Sequence, residues 1–449
     1  MSAPTEAVDI LRVGPGTAMG GLMRQYWIPA AMSKELQADG APMRLMLLGE
    51  KLIAFRDSAG RVGVMDHRCP HRCASLFLGR NEDNGIRCIY HGWKFDVEGN
   101  CIDMPSVSPE QDFKDQVKAK VYPSVERAGL LWVYMGERKT PPPFPLIEAA
   151  LLPEEELEIS FIQRDCNWLQ SLEGDIDTSH FGFLHVGSIE PHHLAPDNPL
   201  RHTVAQRAPA YHVSDAEWGT TYGAYREAPG GMTYWRMANF MFPFWTQVPQ
   251  ADFADNVDAR AWVPLDDTHT MFIRLFRKNR AALPIIATDR DGKVIPGLEE
   301  PVNFQPDSTE WLGRFRPTGN ERNDWELDRQ VQRSGGVFSG ISVIHMQDQA
   351  VTESMGELTD HSLEHLGPGD QMIARTRRRL QIAARGLTQD GTIPPGVDDP
   401  AIYLEARSGF FVSNSKDDWR GQYRQQLAAA VRPGLQALGE TPAPTPVVA

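Results

Sequence analysis

Two cysteines and two histidines between positions 69 and 91 constrain this chain more than any other feature. Cys69-Pro70-His71 is followed, after sixteen residues, by Cys88-Ile89-Tyr90-His91. Each half-site supplies one thiolate and one imidazole, so two loops together present four ligands. Two thiolates on one iron and two neutral imidazoles on the other would hold a [2Fe–2S] cluster of raised reduction potential. A structural zinc site on the same two cysteines and two histidines is the competing reading. Zinc motifs usually pair cysteine with cysteine and histidine with histidine. The mixed order here suits a cluster gripped between two loops that each touch both irons.

The flanking sequence has the rhythm of a small β domain. Met43–Leu48, Leu52–Arg56 and Val62–Met65 read as short strands, separated by turns at Gly49-Glu50-Lys51 and Asp57–Gly60. Lys118–Val121 and Gly129–Gly136 read as extended segments that close a compact antiparallel sandwich over residues 43–138. Upstream, a short helix and an extended segment broken at Pro29 are expected within residues 1–42, packed with the larger domain. The Pro141–Pro145 run is a stiff connector and marks a domain boundary.

Residues 139–440 mix strand and helix patterns. Thr221–Tyr225, Met232–Met237, Ala261–Pro264 and His269–Phe276 read as strands. Asp370–Arg385 and Asp417–Val431 have helical periodicity, the latter stopped by Pro433-Gly434. Residues 441–449 are expected to be a disordered tail. The fold class predicted is α+β.

A second constellation lies at Asp177, His180 and His185. Asp177 and His180 are three apart and share a face on a helix. His180 and His185 are five apart, which a regular helix does not align; Gly182 would permit the helix end or bulge that brings both imidazoles to one metal. Two histidines plus a carboxylate, with positions left open, form the facial triad of non-haem Fe(II) oxygenases. Ordinary polar residues are the alternative reading of these histidines.

Cys69-Pro70-His71-Arg72 and Cys88-Ile89-Tyr90-His91-Gly92-Trp93-Lys94-Phe95 resemble the cluster loops of Rieske non-haem iron aromatic-ring oxygenases. Asn167-Trp168 followed by Asp177, His180 and His185 resembles the iron-site pattern of the same family. His345 to Gly356, with Glu364-His365-Leu366-Gly367 and Asp370, resembles the corresponding segment of the phthalate-dioxygenase-like branch. The resemblance spans roughly residues 10–430. It implies a helix-grip catalytic domain beside the small Rieske β-sandwich. It implies cluster ligation by Cys69, His71, Cys88 and His91, and mononuclear iron on His180, His185 and a downstream carboxylate. Asp348 is the choice for that carboxylate, with Glu353 and Asp360 as rivals; His345 is read as a packing residue. Asp177 would hydrogen-bond a cluster histidine, His91, of a neighbouring subunit in a trimer or dimer of trimers, orienting an imidazole and relaying cluster reduction to the iron site. The family usually has glycine where this chain has Cys73, which is read as a small buried filler.

The branch further implies an aromatic carboxylate substrate and O2, with ring hydroxylation or dihydroxylation as the reaction. O-demethylation of a methoxylated acid on the same scaffold is the alternative; an electron-transfer Rieske protein or a zinc-stabilised module would be a different class. Ser179 and Arg207 are the substrate-binding candidates, Arg207 because guanidinium grips a carboxylate through two hydrogen bonds. Asn239–Trp245 could line a pocket or pack in the core. The sequence has no nicotinamide or flavin fingerprint, so electrons are expected from a separate reductase, and the resemblance implies one carrying FMN and a plant-type ferredoxin centre. Arg375, Arg377, Arg378 and Arg379 are read as a solvated helix face.

Composition removes other partners. A net charge of −14 over 449 residues argues against nucleic acid and anionic membranes. No apolar run reaches membrane-spanning length, and the first nine residues lack the basic and apolar parts of a signal peptide. Five cysteines, two assigned to the cluster, make no disulfide framework. A cytoplasmic location is expected.

Overall fold

The computed structural model describes residues 8–278, 287–299, 301–414 and 416–440. The 441–449 tail lies outside them. The small domain is built from hairpins whose turns are dictated locally. Met43–Leu47 pairs with Glu50–Arg56, which pairs with Val62–Asp66, all antiparallel. Leu48 and Gly49, the two residues between the first pair, both have positive φ, 47° and 75°. Two left-handed central residues match the twist of a tight hairpin. The same device, Asp83-Asn84, joins Arg80–Glu82 to Gly85–Arg87. That second sheet continues through Lys94–Phe95 to Cys101–Asp103. Ile53, Phe55, Met65, Leu76, Ile86 and Phe95 form a core under the loops that carry Cys69 and Cys88.

Strand pairing crosses the expected boundary at residue 42. Trp27–Met32 pairs with Leu130–Tyr134, which pairs with Ser124–Arg127. The residues before it reach the larger domain, where Val13 N donates to Asp267 and Asn167 Nδ2 donates to the Leu11 carbonyl. The proline-rich connector is packed rather than free. Trp27 Nε1 donates to the Pro142 carbonyl at 2.9 Å, and Phe144 sits edge-on to Trp132 at 4.7 Å. Trp132 stacks on Trp245 of the larger domain at 5.9 Å, so one apolar core runs through both.

The larger domain is an antiparallel sheet with helices against it, the expected α+β arrangement. Its strand order is Leu157–Arg164, Thr270–Arg277, Asp258–Pro264, Trp245–Gln247, Met232–Met241, Gly219–Ala228 and Ala210–Ala216, with Gly409–Ser413 also paired to Met232–Met241. Helices Trp168–Ile176 and Gln371–Asp390 pack against this sheet. Asn239–Trp245 is core: Asn239 bonds Gln247 and the Arg407 carbonyl, and Phe240, Phe242 and Phe244 are buried.

Two sequence expectations are corrected. Pro433-Gly434 does not stop a helix but opens the last one, Pro433–Glu440, after Trp419–Ala429 has already ended. Proline at the first helical position forfeits only an N–H that would have no intrahelical partner. The arginines of Gln371–Asp390 are not a purely solvated face. Arg377 grips Glu173 with two 2.6 Å bonds and also Glu364, and Arg375 bonds Asp215 at 2.6 Å. These pairs tie the long helix to its neighbours, while Arg378 is exposed. Among the described residues, no helix is long and apolar enough to cross a membrane.

Candidate iron–sulfur and mononuclear metal centres

The two cluster loops are nearly the same turn used twice. Cys73 N donates to the Cys69 carbonyl and Gly92 N to the Cys88 carbonyl, both at 2.9 Å. Cys69 N donates to Ala74 and Cys88 N to Trp93, both at 2.8 Å. Each turn places a left-handed residue four positions after its ligand cysteine. It is Cys73 in one loop, φ 59°, and Gly92 in the other, φ 80°. Cys73 is exposed, so it is not the buried filler expected. Cys69 and Cys88 are buried side by side, and burial pushes the Cys69 thiol up to about 11. His71 and His91 pack edge to face with centroids 4.4 Å apart, and His71 stacks on Trp93 at 4.3 Å. Burial, then His91 and Arg72, lower the His71 pKa, keeping the imidazole neutral as a metal ligand requires. Two adjoining buried thiols and two adjoining imidazoles fit a [2Fe–2S] cluster.

The second centre is made by a helix that ends on time. Asn167 caps Trp168–Ile176, its side chain accepting from Leu169 N at 3.0 Å. Asp177 leaves the helix as its C-cap, with extended ψ of 107°. Its carboxylate accepts from Ser179 N at 2.7 Å, a local turn that swings the chain into His180–Gly182. Asp177 and His180 therefore do not share a helix face, as the spacing had predicted. They still adjoin, Asp177 Oδ2 lying 3.7 Å from His180 Nδ1. The His180 and His185 Nε2 atoms meet at 3.0 Å. Asp348, from Ile344–Ser354, brings Oδ1 to 3.1 Å from His185 Nε2 and 3.4 Å from His180 Nε2. These three ligand atoms lie within 4.8 Å of one another. Two ring nitrogens and a carboxylate oxygen aimed at one point fit a divalent metal.

The rivals of Asp348 are engaged elsewhere. Glu353 accepts from Asp165 N, Trp325 Nε1 and Gln349 Nε2, and Asp360 caps the turn at His361–Leu363. Electrostatics at the triad follow from its partners. Against burial, His185, His180 and Arg164 hold the Asp348 carboxyl well below the usual carboxylate range. Burial alone would lower the His180 pKa, but Asp177 and Asp348 raise it.

The triad opens on a cavity of about 540 Å³. Its walls carry three arginines. Arg260 is paired with Asp175 and Asp258, and Arg274 with Asp258 and Gln250. Arg236 is different. It bonds the Thr178 hydroxyl at 3.3 Å and lies over the Phe181 ring at 4.9 Å, and no carboxylate pairs with it among the described residues. His345, expected as a satisfied packing residue, lies against Phe272 on the cavity wall with Nε2 unpartnered. Burial and Arg164 hold its pKa well below that of an ordinary histidine.

The two substrate-binding candidates do not reach this cavity. Ser179 Oγ is hydrogen-bonded to Tyr211 OH at 2.8 Å. Arg207 donates to the carbonyls of Gly182, Val186 at 3.1 Å and Ile189 at 2.8 Å. It clamps the loop that carries His185, and carbonyl oxygens occupy the donors a substrate would need. The residue missed was Arg236. Its signal was a lone cation inside the otherwise apolar run Tyr234-Trp235-Arg236-Met237.

A Rieske-type domain and an open facial triad in a second, sheet-based domain define the oxygenase component of a Rieske non-haem iron oxygenase, and the chain belongs to that family. Residues 26–123 match the Rieske [2Fe-2S] domain and residues 133–439 the LigXa C-terminal domain like family. Over 433 residues the chain is 51% identical to the 3-chlorobenzoate-3,4-dioxygenase oxygenase subunit of Comamonas testosteroni, covering 96% of this chain and 100% of that one. It is 34% identical to the phthalate 4,5-dioxygenase oxygenase subunit of Pseudomonas putida, covering 94% of each. In fold it matches NdmA of Pseudomonas putida CBB5, as a mutant with theobromine, at a TM-score of 0.53 and 17% identity, over 88% of this chain and 98% of that one. The cofactors are a Rieske [2Fe–2S] cluster and mononuclear iron. As an oxygenase component, the chain takes its electrons from a separate donor.

Proposed function

We propose that this chain oxidises an aromatic carboxylate, with its cluster on Cys69, His71, Cys88 and His91 and its iron on His180, His185 and Asp348. The observation that carries the reading is one cavity that joins an open triad of two histidines and a carboxylate to Arg236, a guanidinium with no carboxylate partner among the described residues. Iron held by His180, His185 and Asp348 would supply dioxygen activation. The protein does the rest by placement. Arg236 holds the carboxylate, which orients the ring; the apolar walls, among them Phe272, Phe276 and Leu298, exclude water from it. Arg260 and Arg274 are neutralised by Asp175 and Asp258, so they shape the wall without competing for substrate. The relatives named for 3-chlorobenzoate and phthalate support a carboxylate-bearing ring.

Electrons would come from a reductase carrying FMN and a ferredoxin-type centre. We further propose a trimer or dimer of trimers in which His91 of one protomer meets Asp177 of the next. Ile89 and Tyr90 beside His91 are 60% and 54% exposed, and Asp177 is partly exposed, which leaves both ends of that contact available. A single-turnover experiment on pre-reduced protein tests the function, using oxygen and a panel of plain and methoxylated aromatic acids. A cis-diol from an unmethylated acid supports ring dioxygenation. Formaldehyde with a freed phenol assigns O-demethylation instead, a hydroxylated acid without formaldehyde assigns monohydroxylation, and the absence of any oxidised product from every acid refutes the carboxylate reading.

A further inference from the structure

We infer that Gln347 is a positioning residue that fixes His185 in its Nδ1–H tautomer and so aims the Nε2 lone pair at the metal. The inference rests on the triad being the iron site. Gln347 is fully buried on Ile344–Ser354, one residue before Asp348. Its amide nitrogen donates to two backbone carbonyls, Gly297 at 2.8 Å and Ile341 at 2.6 Å. Turning the amide over would set its oxygen against both carbonyl oxygens, so the orientation is determined by the surroundings. Oε1 then faces His185 Nδ1 at 2.8 Å. An amide oxygen only accepts, so Nδ1 must carry a proton, and in the neutral ring that a metal binds Nε2 is then the atom with the lone pair.

The backbone is shaped for this contact. Gly297 has φ 90°, and a Cβ there would lie 3.2 Å from Gln347 Nε2, tighter than ordinary packing. A glycine lets its carbonyl approach the amide. The two histidines are thus held differently. His180 adjoins the carboxylate of Asp177, whereas His185 is locked by a neutral group that adds no charge to the site. One helix supplies both the carboxylate ligand and the lock for its neighbour.

The test separates the lock from mere packing, because Gln347→Met and Gln347→Glu both lose the amide N–H donors but only Glu keeps an acceptor for His185. Full-length protein with its cluster intact is stripped of mononuclear iron and titrated with Co(II); the cluster's visible spectrum serves as the fold control. Gln347→Met should weaken Co(II) binding about 10- to 100-fold, as loss of such outer partners does; Gln347→Glu should weaken it less, its second oxygen protonated toward the Gly297 and Ile341 carbonyls while the first still accepts from His185. Equal losses in both variants, or none in either, overturn the lock while leaving the triad standing. Undiminished Co(II) binding by His185→Ala overturns the triad reading itself. Should the variants misfold, Co(II)-loaded wild-type protein decides: the metal-shifted His185 imidazole N–H signal should be present and slow to exchange with solvent, and its absence overturns the tautomer.

Discussion

Replacing Arg236 by methionine should damage binding of a carboxylate and spare binding of its neutral isostere. Arg236 is 7% exposed, bonds only the Thr178 hydroxyl through Nε, and has no acid partner among the described residues. A hydrogen bond to a charged group is worth about 1.5–3 kcal/mol. At about 1.4 kcal/mol per tenfold, the loss is about 10- to 150-fold in Kd or KM. Methionine keeps most of the apolar stem, so the loss should follow the charge rather than the packing. The assay is a two-by-two comparison of wild type and Arg236→Met against benzoate and benzamide, with the cluster spectrum as a check on folding. The reasoning fails if both ligands weaken equally, or if Arg207→Met gives the same carboxylate-selective loss while Arg236→Met does not.

Other expectations are independent of that one. His180→Ala should abolish turnover and leave the cluster spectrum intact, with iron falling from about three to about two per chain; unchanged turnover would sink the iron assignment. Because Asp177 and Asp348 raise the His180 pKa above its ordinary 6.5, the metal-free site keeps its proton to a higher pH. That proton stabilises the metal-free fold below the ordinary value, and the stabilisation is lost as pH rises through the raised one. Protons therefore compete with metal from a higher pH than usual, and Asp177→Asn should move half-loss of metal to lower pH in a chelator titration over roughly pH 5 to 8. Cys73→Gly should stabilise the small domain by about 0.5–1 kcal/mol, the cost of a left-handed non-glycine residue less the extra chain entropy of glycine. Denaturant titration followed by cluster absorbance measures it, and an earlier midpoint would contradict the strain argument.

Much of this was legible in order along the chain. The ligand spacing, the hairpin strands around it, and the grouping of Asp177, His180 and His185 are local patterns, set by period-2 alternation, turn chemistry and donor type. Asp348 was reached through resemblance, since no local rule picks one carboxylate from Asp348, Glu353 and Asp360. Three-dimensional packing separates them, by aiming one at the histidines and tying the others to Trp325 and to a turn.

Function-bearing contacts between distant segments were not legible. Arg207 and Arg236 are both arginines near apolar residues; folding turns the first toward backbone carbonyls and leaves the second facing the cavity with no carboxylate partner among the described residues. Gln347 is an ordinary glutamine until Gly297 and Ile341, 50 and 6 residues away, orient its amide. Ligand types, the two-domain order and most strands could be read from the chain, because each depends on residues close by in it. Which charge is free and which is neutralised depends on partners brought together across the sheet, so that distinction exists only in the folded molecule.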